Sequence, residues 1–232
     1  MKCEDLLYDI KEIKSLLEDD TDIDDLWLLN KINMYRSVFI PMEYDTEHTI
    51  QPSWIQRLQK QTVTKVNSAD DPSITVTSIY LGKVTIPRII GLPDNLGLYR
   101  VSGSGGITSF QPIDFNTLIM KIDIGEEIMG DYGYCSLIGN DLYLYPLVSE
   151  MQALIIAEDP FDVPINASGT IRALAITDDY PINGAMAQRI VLEILTKDLA
   201  INEQSLTDTI NDSQSQLRIL RSGNSQQQAV GG

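Results

Sequence analysis

The sequence contains one histidine and two cysteines, and this scarcity argues against several kinds of active site. His48 is the single imidazole, whereas zinc sites and most acid–base catalysis rely on that side chain. Cys3 and Cys135 are too few for a disulfide framework and too widely spaced for clustered metal ligands. We therefore expect a protein of a reducing compartment that holds no metal and no cofactor.

A long apolar segment and a basic surface are also missing. No stretch approaches the roughly 18 apolar residues of a membrane span, and the N-terminal residues are acidic where a secretory leader is basic. The 33 acidic residues outnumber the 17 basic ones, which gives a net charge of −16. Such a surface repels phosphate backbones and anionic lipid heads. The expectation is a soluble cytoplasmic product without conventional nucleic-acid or membrane binding.

The remaining composition is that of a folded protein. Hydrophobic residues form 43% of the chain and charged residues 22%, so wholesale disorder is not expected. The negative charge is concentrated at one end. Residues 1–50 hold thirteen acidic and five basic residues, a net −8, whereas residues 201–232 hold three and two, a net −1.

Apolar residues at helical spacing predict two helices in the first forty residues. The first helix has one apolar stripe, which consists of Leu6, Ile10, Ile13 and Leu17. The acidic run 18–22 ends this helix, and Thr21 or Asp22 is expected to cap the second. We predict that the second helix covers 23–39 and that Pro41 stops it.

The second helix carries two apolar stripes, so it must pack against two different surfaces. One stripe consists of Leu28, Ile32, Tyr35 and Phe39, and the other consists of Ile23, Trp27, Met34 and Val38. The body of the same subunit is one expected neighbour. The first helix, the C-terminal helix or a neighbouring subunit remains open as the other.

Between residues 42 and 179 the helical period gives way to short β-branched or aromatic runs. The predicted strands are 62–66, 74–81, 84–90, 98–101, 134–138, 141–145, 153–157 and 170–176. Gly139-Asn140 predicts a tight turn between the fifth and sixth of them, and residues 115–120 are predicted to form a short helix. The expected body is a mostly antiparallel sandwich or small barrel.

A broad apolar stripe predicts a long C-terminal helix over 180–200, with Pro181 in its first turn. Leu206, Ile210, Leu217 and Leu220 predict a weaker helix that continues from it, before a polar tail. The predicted fold class is therefore α+β. Its parts are N-terminal helices (1–41), a β-rich body (42–179), a long helix packing with the N-terminal helices (180–200), and a C-terminal arm and extended polar tail (201–232).

Motifs that carry chemistry are incomplete. The segment 102–106 (SGSGG) has serine where a hydrolase elbow needs glycine, and no lysine follows it as in a phosphate-binding loop. Its glycines therefore predict a turn. The acid pairs Glu126-Glu127 and Asp178-Asp179 leave open a carboxylate-dependent hydrolase on a β-sandwich. Solvated or capping roles are the favoured interpretation, and we expect a protein that is not an enzyme.

Three segments resemble neck structural proteins of crAss-like podophages, the ring or head-to-tail connector proteins below the portal. They are 35–41 (YRSVFIP), 137–146 (LIGNDLYLYP) and 179–182 (DYPI), the last followed by the predicted long helix. The resemblance extends over most of the chain as an order of elements: helices, β body, long helix and polar tail.

The resemblance implies a virion protein of a tailed bacteriophage, assembled in the host cytoplasm. It implies a homo-oligomeric ring, commonly a dodecamer, which contacts the portal protein and adjacent neck or tail rings. Genome DNA would pass through its channel without sequence-specific binding. The expected contact residues are Trp27, Met34 and Val38 on the second helix, with Leu217, Arg218, Ile219, Leu220 and Arg221 holding the tail on a partner. A tail hub or capsid-associated protein is the alternative within the same class.

Overall fold

We describe the fold from a computed structural model of the chain. The structure describes residues 1–17, 23–75, 79–103, 106, 108–124, 132–167 and 170–199. The acidic run 18–22, the pair Glu126-Glu127 and everything from residue 200 onwards lie outside these ranges, and so do the predicted C-terminal arm and tail.

Four α-helices and ten β-strands are present in the described residues. The helices are α1 (Cys3–Leu17), α2 (Asp25–Glu47), α3 (Phe115–Asp123) and α4 (Gly184–Glu193), and α4 is followed by a π-helical stretch, Ile194–Asp198. The strands are β1 (Gln56–Thr62), β2 (Thr64–Val66), β3 (Leu81–Thr85), β4 (Leu98–Gly103), β5 (Ser109–Pro112), β6 (Tyr132–Ile138), β7 (Asp141–Tyr145), β8 (Glu150–Ile155), β9 (Ile165–Ala167) and β10 (Thr170–Arg172). The fold is therefore α+β, as predicted.

The chain divides into two compact units. One comprises Glu4–Ile32 together with the described residues from Gly184 onwards, so it contains α1, the first part of α2 and α4. In this unit Lys11 Nζ lies 2.6 Å from Asp25 Oδ1, and Lys31 forms an ion pair with Asp198. The other unit comprises Met1–Cys3 and Asn33–Asn183, and it contains the sheets.

Eight strands form one curled sheet in the order β1-β8-β4-β5-β6-β7-β3-β2. The two outermost strands, β1 and β2, are separated in the chain by Val63 alone, so the segment 56–66 joins the two ends of the sheet. Neighbouring strands pair antiparallel except for β5 and β6, which are parallel. This single curled sheet corresponds to the predicted small barrel more closely than to a sandwich.

The curled sheet has apolar side chains packed on both faces at β7. Leu142 and Leu144 belong to a cluster that includes Val101, Met151 and Ile155 from other strands. Tyr143 points the other way and belongs to a second cluster with Leu81 and with Leu118 of α3. Alternate side chains of a strand point to opposite faces, so β7 is buried on both sides and lies at the centre of this unit.

The predicted hairpin and short helix are confirmed. β6 and β7 pair from Tyr134↔Tyr145 to Ile138↔Asp141, and Gly139 in the turn has φ +61°, a left-handed conformation that glycine adopts without strain. α3 is longer than predicted and begins after Asp114, whose carboxylate accepts hydrogen bonds from the backbone N–H groups of Asn116 and Thr117.

The predicted end of the second helix at Pro41 is wrong, because α2 continues to Glu47. Proline in a helix removes one backbone hydrogen bond and costs about 3 kcal/mol. The turn after Pro41 is held by Asn183 Nδ2, which donates to Glu43 Oε1 over 3.0 Å. The helix ends at His48, which has φ +51° and donates its N–H to the carbonyl of Tyr44. At the start of α2, Asp24 Oδ1 accepts from the Leu26 N–H over 3.0 Å, and the predicted caps Thr21 and Asp22 lie outside the described residues.

Three strand predictions need correction. Residues 81–85 form one strand that includes Gly82, whereas the prediction placed two separate strands at 74–81 and 84–90. A Cβ at Gly82 would lie 2.5 Å from Val63 Cγ1, so glycine here permits close packing of strands, not a turn. The predicted strand 170–176 is only β10.

The C-terminal helix differs from the prediction at its start. α4 begins at Gly184, and Pro181 lies before it. The carbonyl of Pro181 accepts a hydrogen bond from Arg36 Nε over 3.0 Å, which explains why this segment follows its own course and does not form the first helical turn. The α-helix itself has ten residues, so the predicted long helix over 180–200 is not confirmed.

Candidate functional site

The three predicted contact residues on α2 lie at different levels of exposure. Met34 is 46% exposed and Val38 is 49% exposed. Met42, one turn further along, is 47% exposed, and residues four apart lie above one another on a helix. These three residues form an apolar stripe on the surface, which we call the α2 stripe. Trp27 is only half-buried, and Lys31 Nζ lies 5.3 Å from the centroid of its ring.

The other predicted stripe of α2 is buried except at Tyr35, which is half-buried. Leu28 and Ile32 are fully buried, and Phe39 is 4% exposed. Ile40, which was not assigned to either stripe, is also fully buried. The helix therefore uses one apolar face inside the chain and leaves the α2 stripe open to another molecule.

A buried arginine fixes α2 in the sheet-containing unit. Arg36 is fully buried, and its guanidinium donates to three backbone carbonyls: Nη1 to Ala157 over 2.6 Å, Nε to Pro181 over 3.0 Å, and Nη2 to Trp54 over 3.4 Å. Burial lowers the pKa of Arg36 to about 10, so the side chain is still charged at neutral pH. Five donors in a rigid fork suit an arginine for binding several carbonyls at once.

A second set of polar contacts supports the same helix. Asn33 Nδ2 donates to Asp159 Oδ1 over 3.1 Å, and Tyr180 donates its hydroxyl to Asn33 Oδ1. Desolvation raises the pKa of Tyr180, so it remains a neutral donor. With Arg36, these contacts set the rotation of α2 about its axis, and this rotation decides that Met34 and Val38 face outwards.

A polar network connects Asp71 to side chains of β3 and β7. Asp71 Oδ2 accepts from Lys83 Nζ and from the Tyr143 hydroxyl, each over 2.6 Å, while Asp71 Oδ1 accepts from Ser73 Oγ over 2.6 Å. Lys83 Nζ also lies 2.9 Å from Asp141 Oδ2. These bonds, led by that from Lys83, hold the pKa of Asp71 well below its usual range. Conversely, they hold the pKa of Lys83 above its usual range.

Each charged group of this network has a partner within the network. The ammonium is shared by two carboxylates, and Thr85 Oγ1 donates to Asp141 Oδ1 over 2.7 Å. Neither carboxylate has a raised pKa of the kind that a general acid requires. The network therefore anchors the loop that holds Asp71 and Ser73 to β3 and β7.

Asp178-Asp179 is one of the two acid pairs that left the hydrolase hypothesis open, and its first carboxylate is also held by hydrogen bonds. Arg172 binds Asp178 with two hydrogen bonds, of 2.6 and 2.7 Å, and the Ala175 N–H donates to the same carboxylate over 2.7 Å. These contacts, led by Arg172, lower the pKa of Asp178 to about 2. The carboxylate of Asp179 is almost fully exposed. Asp178 therefore closes a local turn, which is the capping role favoured from the sequence.

Other predicted features can also be placed. In the glycine-rich segment, the Gly106 N–H donates to the carbonyl of Gly103 over 2.9 Å and the Gly103 N–H donates to the carbonyl of Thr108 over 2.8 Å, whereas residues 104 and 105 lie outside the described ranges. No group of three or more metal-binding side chains occurs within the described ranges. His48 is exposed at the end of α2. The predicted tail residues Leu217, Arg218, Ile219, Leu220 and Arg221 lie outside the described residues.

Two features of the structure were missed from the sequence. Met42 was not assigned to the α2 stripe because Pro41 was taken as the end of the helix, although the spacing Met34, Val38, Met42 was visible. The network around Asp71 had no local signal, because its partners come from residues 73, 83 and 143.

Among the described residues, no helix is both long and apolar enough to cross a membrane.

The structure thus defines an α+β protein with a curled sheet and an exposed apolar stripe on its longest described helix. A family model described as "Phage tail ring protein 2" (CrAss_Ring_2) matches residues 5–219. Since the match covers most of the chain, the protein belongs to this family of bacteriophage tail ring proteins, which are structural proteins of the virion. A search of curated proteins found no match.

Proposed function

We propose that this protein is a non-enzymatic subunit of a closed ring that connects the head of a crAss-like phage to its tail. The ring would lie below the portal protein and extend the channel for the genome. The observation that carries the proposal is the α2 stripe: a chain of a tail ring family exposes three aligned apolar side chains, Met34, Val38 and Met42, on one helix.

A closed ring requires two unlike faces on each subunit, since every copy contacts one neighbour by one face and the next by the other. The α2 stripe supplies one such face. Apolar side chains that are half exposed in the single chain gain stability when a neighbour covers them, at about 25 cal/mol per Å². Trp27, on the same helix, is proposed to lie at the edge of this contact.

The charge of the chain supports passage of DNA through the ring. A net charge of −16 gives a surface that repels phosphates, so a channel lined by this protein would let DNA slide without holding it. A groove that gripped DNA would instead collect lysine and arginine. Sequence-specific contacts with the genome are therefore not part of the proposal.

The C-terminal arm is proposed to bind an adjacent neck or tail ring. Leu217, Ile219 and Leu220 would be covered by the partner, and Arg218 and Arg221 would pair with its carboxylates.

Twelve copies are proposed because the family resemblance favours a dodecamer. Assembly in the host cytoplasm is consistent with two buried, unpaired cysteines, Cys3 and Cys135.

Electron microscopy of the purified full-length protein, alone and with the portal protein, tests the proposal directly. We expect rings with a central hole wide enough for duplex DNA, and we expect twelve-fold averages. Addition of the portal protein should give coaxial stacks. A monomer at high micromolar concentration, both alone and with the portal protein, would contradict the ring. Rings that never join the portal protein would contradict the connector role and favour a position elsewhere in the tail.

A further inference from the structure

Two arginines lie on the outer face of the curled sheet, on two strands that are separated by a third. Arg57 of β1 and Arg100 of β4 are both register partners of Leu154 in β8, which lies between these strands. Residues opposite one another in paired strands point to the same face, and strands are about 4.8 Å apart, so the two Cα atoms are roughly 10 Å apart. Together with Ser102, Gln152 and Leu154, they line a groove of about 260 Å³.

Neither guanidinium has a carboxylate partner among the described residues. Arg57 Nη2 donates to the amide oxygen of Gln152 over 2.9 Å, and no hydrogen bond or ion pair of Arg100 is present in the described part of the chain. Two other exposed cations of the same unit have a carboxylate partner. Lys60 Nζ lies 2.5 Å from Glu150, and Arg88 Nε lies 2.7 Å from Glu158. Two guanidiniums on one face of the sheet without a carboxylate partner are unusual in a chain where acidic residues outnumber basic ones 33 to 17.

We infer that this groove binds carboxylates of a second copy of the chain, from its acidic segment 18–25. That segment carries six carboxylates, at positions 18, 19, 20, 22, 24 and 25. Asp24 and Asp25 are already bound, by the Leu26 N–H and by Lys11. Glu18, Asp19, Asp20 and Asp22 are therefore the residues assigned to the groove of the neighbour.

The chemistry of the groove fits a carboxylate-rich peptide. A guanidinium presents parallel N–H groups that match the two oxygens of a carboxylate, and such charge-assisted bonds are about twice as strong as neutral ones. Two guanidiniums at this spacing would hold two carboxylates of an extended chain, with Leu154 beneath them. Phosphates of DNA present similar oxygens, but the net charge of −16 opposes the approach of a duplex.

This inference rests on the proposed ring, because it places a neighbour beside each groove. It adds the second, unlike face that a closed ring needs: the α2 stripe contributes apolar area, and the arginine groove contributes charge complementarity. Complementary charges fix the register of an interface and raise the rate of association. Assembly should therefore weaken as salt rises, since exposed pairs are screened.

Charge reversal tests the inference. In the first variant, Arg57→Glu and Arg100→Glu are combined; in the second, Asp20→Arg and Asp22→Arg; in the third, all four. Lys65→Glu with Arg88→Glu is the matched control, because it makes the same change in net charge at exposed positions of the same unit. Ring assembly is measured by sedimentation velocity across a concentration series, and circular dichroism checks the fold.

We expect the first and second variants each to raise the midpoint concentration of assembly by about tenfold or more. The variant with all four substitutions should have a midpoint concentration close to that of wild type. The midpoint of the control should stay within about threefold of the wild-type value. If the first variant is misfolded, Arg57→Gln with Arg100→Gln replaces it, with the same expectation. Wild-type assembly by the arginine variant would overturn the inference. The inference would also be overturned if the variant with all four substitutions did not recover ring assembly, because segment 18–25 would then not be the occupant of the groove.

A separate binding experiment tests whether duplex DNA is the ligand of the groove. Fluorescence anisotropy of a labelled short duplex at low salt should show no binding that depends on Arg57 and Arg100. Binding that these substitutions abolish would identify phosphate as the ligand and overturn the inference. Failure of the wild-type protein to form any ring would contradict the proposed function itself, whereas intact rings from the arginine variants would contradict the groove alone.

Discussion

Lys83 Nζ lies 2.6 Å from Asp71 Oδ2, and this ion pair joins the loop after β2 to the middle of β3. Tyr143 of β7 donates its hydroxyl to the same oxygen, so three separate parts of the chain meet at one carboxylate. The ring of Tyr143 also packs against Phe115 at the start of α3, with centroids 4.9 Å apart. The carboxylate of Asp71 therefore connects the polar network to the apolar cluster beneath α3.

Replacing Asp71 by asparagine should reduce stability and flatten its dependence on pH. Donors from Lys83, Ser73 and Tyr143 lower the pKa of Asp71 in the folded state. A pKa that is lower in the folded than in the unfolded state stabilises the fold fully above about pH 4, and this contribution is lost as the pH falls further. At pH 7 we expect Asp71→Asn to lower the free energy of unfolding by about 2 kcal/mol.

Urea denaturation at pH 7 and pH 3 measures this effect. The difference between wild type and Asp71→Asn should shrink at pH 3. Asp45→Asn, at an exposed position of α2, is the matched control and should change stability by less than about 0.5 kcal/mol. Equal stability of Asp71→Asn and wild type at pH 7 would show that the network contributes nothing.

The sequence predicted the local elements well and the non-local ones poorly. The β6–β7 hairpin and α3 depend on residues that are close in the chain, namely Gly139 in the turn and Asp114 at the cap. β1 was missed because its sequence, QRLQKQT, has little apolar alternation. β5 was missed because it pairs with β6 in parallel and ends at Pro112, so that its stability comes from a distant partner.

The candidate site shows the same division. Helical spacing was enough to separate the buried stripe with Leu28 and Ile32 from the exposed stripe with Met34 and Val38. It was not enough to find Arg36 as a structural residue, because its acceptors lie at residues 54, 157 and 181. The full length of α2 was equally hidden, since a contact from Asn183 supports the turn after the proline.

Replacing Arg36 by methionine should strongly destabilise the protein. Methionine fills a similar volume but leaves the carbonyls of Trp54, Ala157 and Pro181 without their donor. Each buried polar group that loses its partner costs about 1–3 kcal/mol, so a loss of about 3 kcal/mol or more is expected. Arg36→Lys should recover only part of it, because one ammonium cannot reproduce the fork.

Thermal and urea unfolding of both Arg36 variants measures the loss. Arg88→Met is the control, because Arg88 is exposed and its pair with Glu158 is solvated, so the cost should stay below about 1 kcal/mol. Similar stability of Arg36→Met and Arg88→Met would contradict the role given to the buried guanidinium.

Replacing each of two glycines of one loop by alanine should lower stability to very different extents. A Cβ at Gly97 would lie 2.2 Å from the carbonyl oxygen of Ile90, whereas a Cβ at Gly91 would meet nothing within 4 Å. The Gly97 carbonyl also accepts from the Ile156 N–H over 2.8 Å, so its backbone has little freedom to move. Gly97→Ala should lower the free energy of unfolding by about 2 kcal/mol or more, and Gly91→Ala by less than about 0.5 kcal/mol. Chemical denaturation of the pair tests this, and equal values would refute the close approach.

Alanine at Leu217 and Leu220 should release the proposed ring from its partner without unfolding the protein. Both residues belong to the proposed C-terminal anchor, so the double variant should keep its far-ultraviolet circular dichroism while co-sedimentation with the adjacent ring protein falls by about tenfold. Leu206→Ala, in the same arm but outside the anchor, is the control. Unchanged co-sedimentation of the double variant would remove these leucines from the interface.

Serine at Met34 and Val38 should weaken ring assembly and leave the single chain intact. Both side chains are about half exposed in the chain, so little apolar area is lost from its own core. The contact with a neighbour that covers them would lose about 1 kcal/mol of binding free energy at each position, which raises the midpoint concentration of assembly by about thirtyfold for the pair. Leu192→Ser, at a similarly exposed position of α4, is the matched control and should assemble as wild type does. Sedimentation velocity across a concentration series measures the midpoint, and an unchanged value for Met34→Ser with Val38→Ser would place the subunit contact away from the α2 stripe.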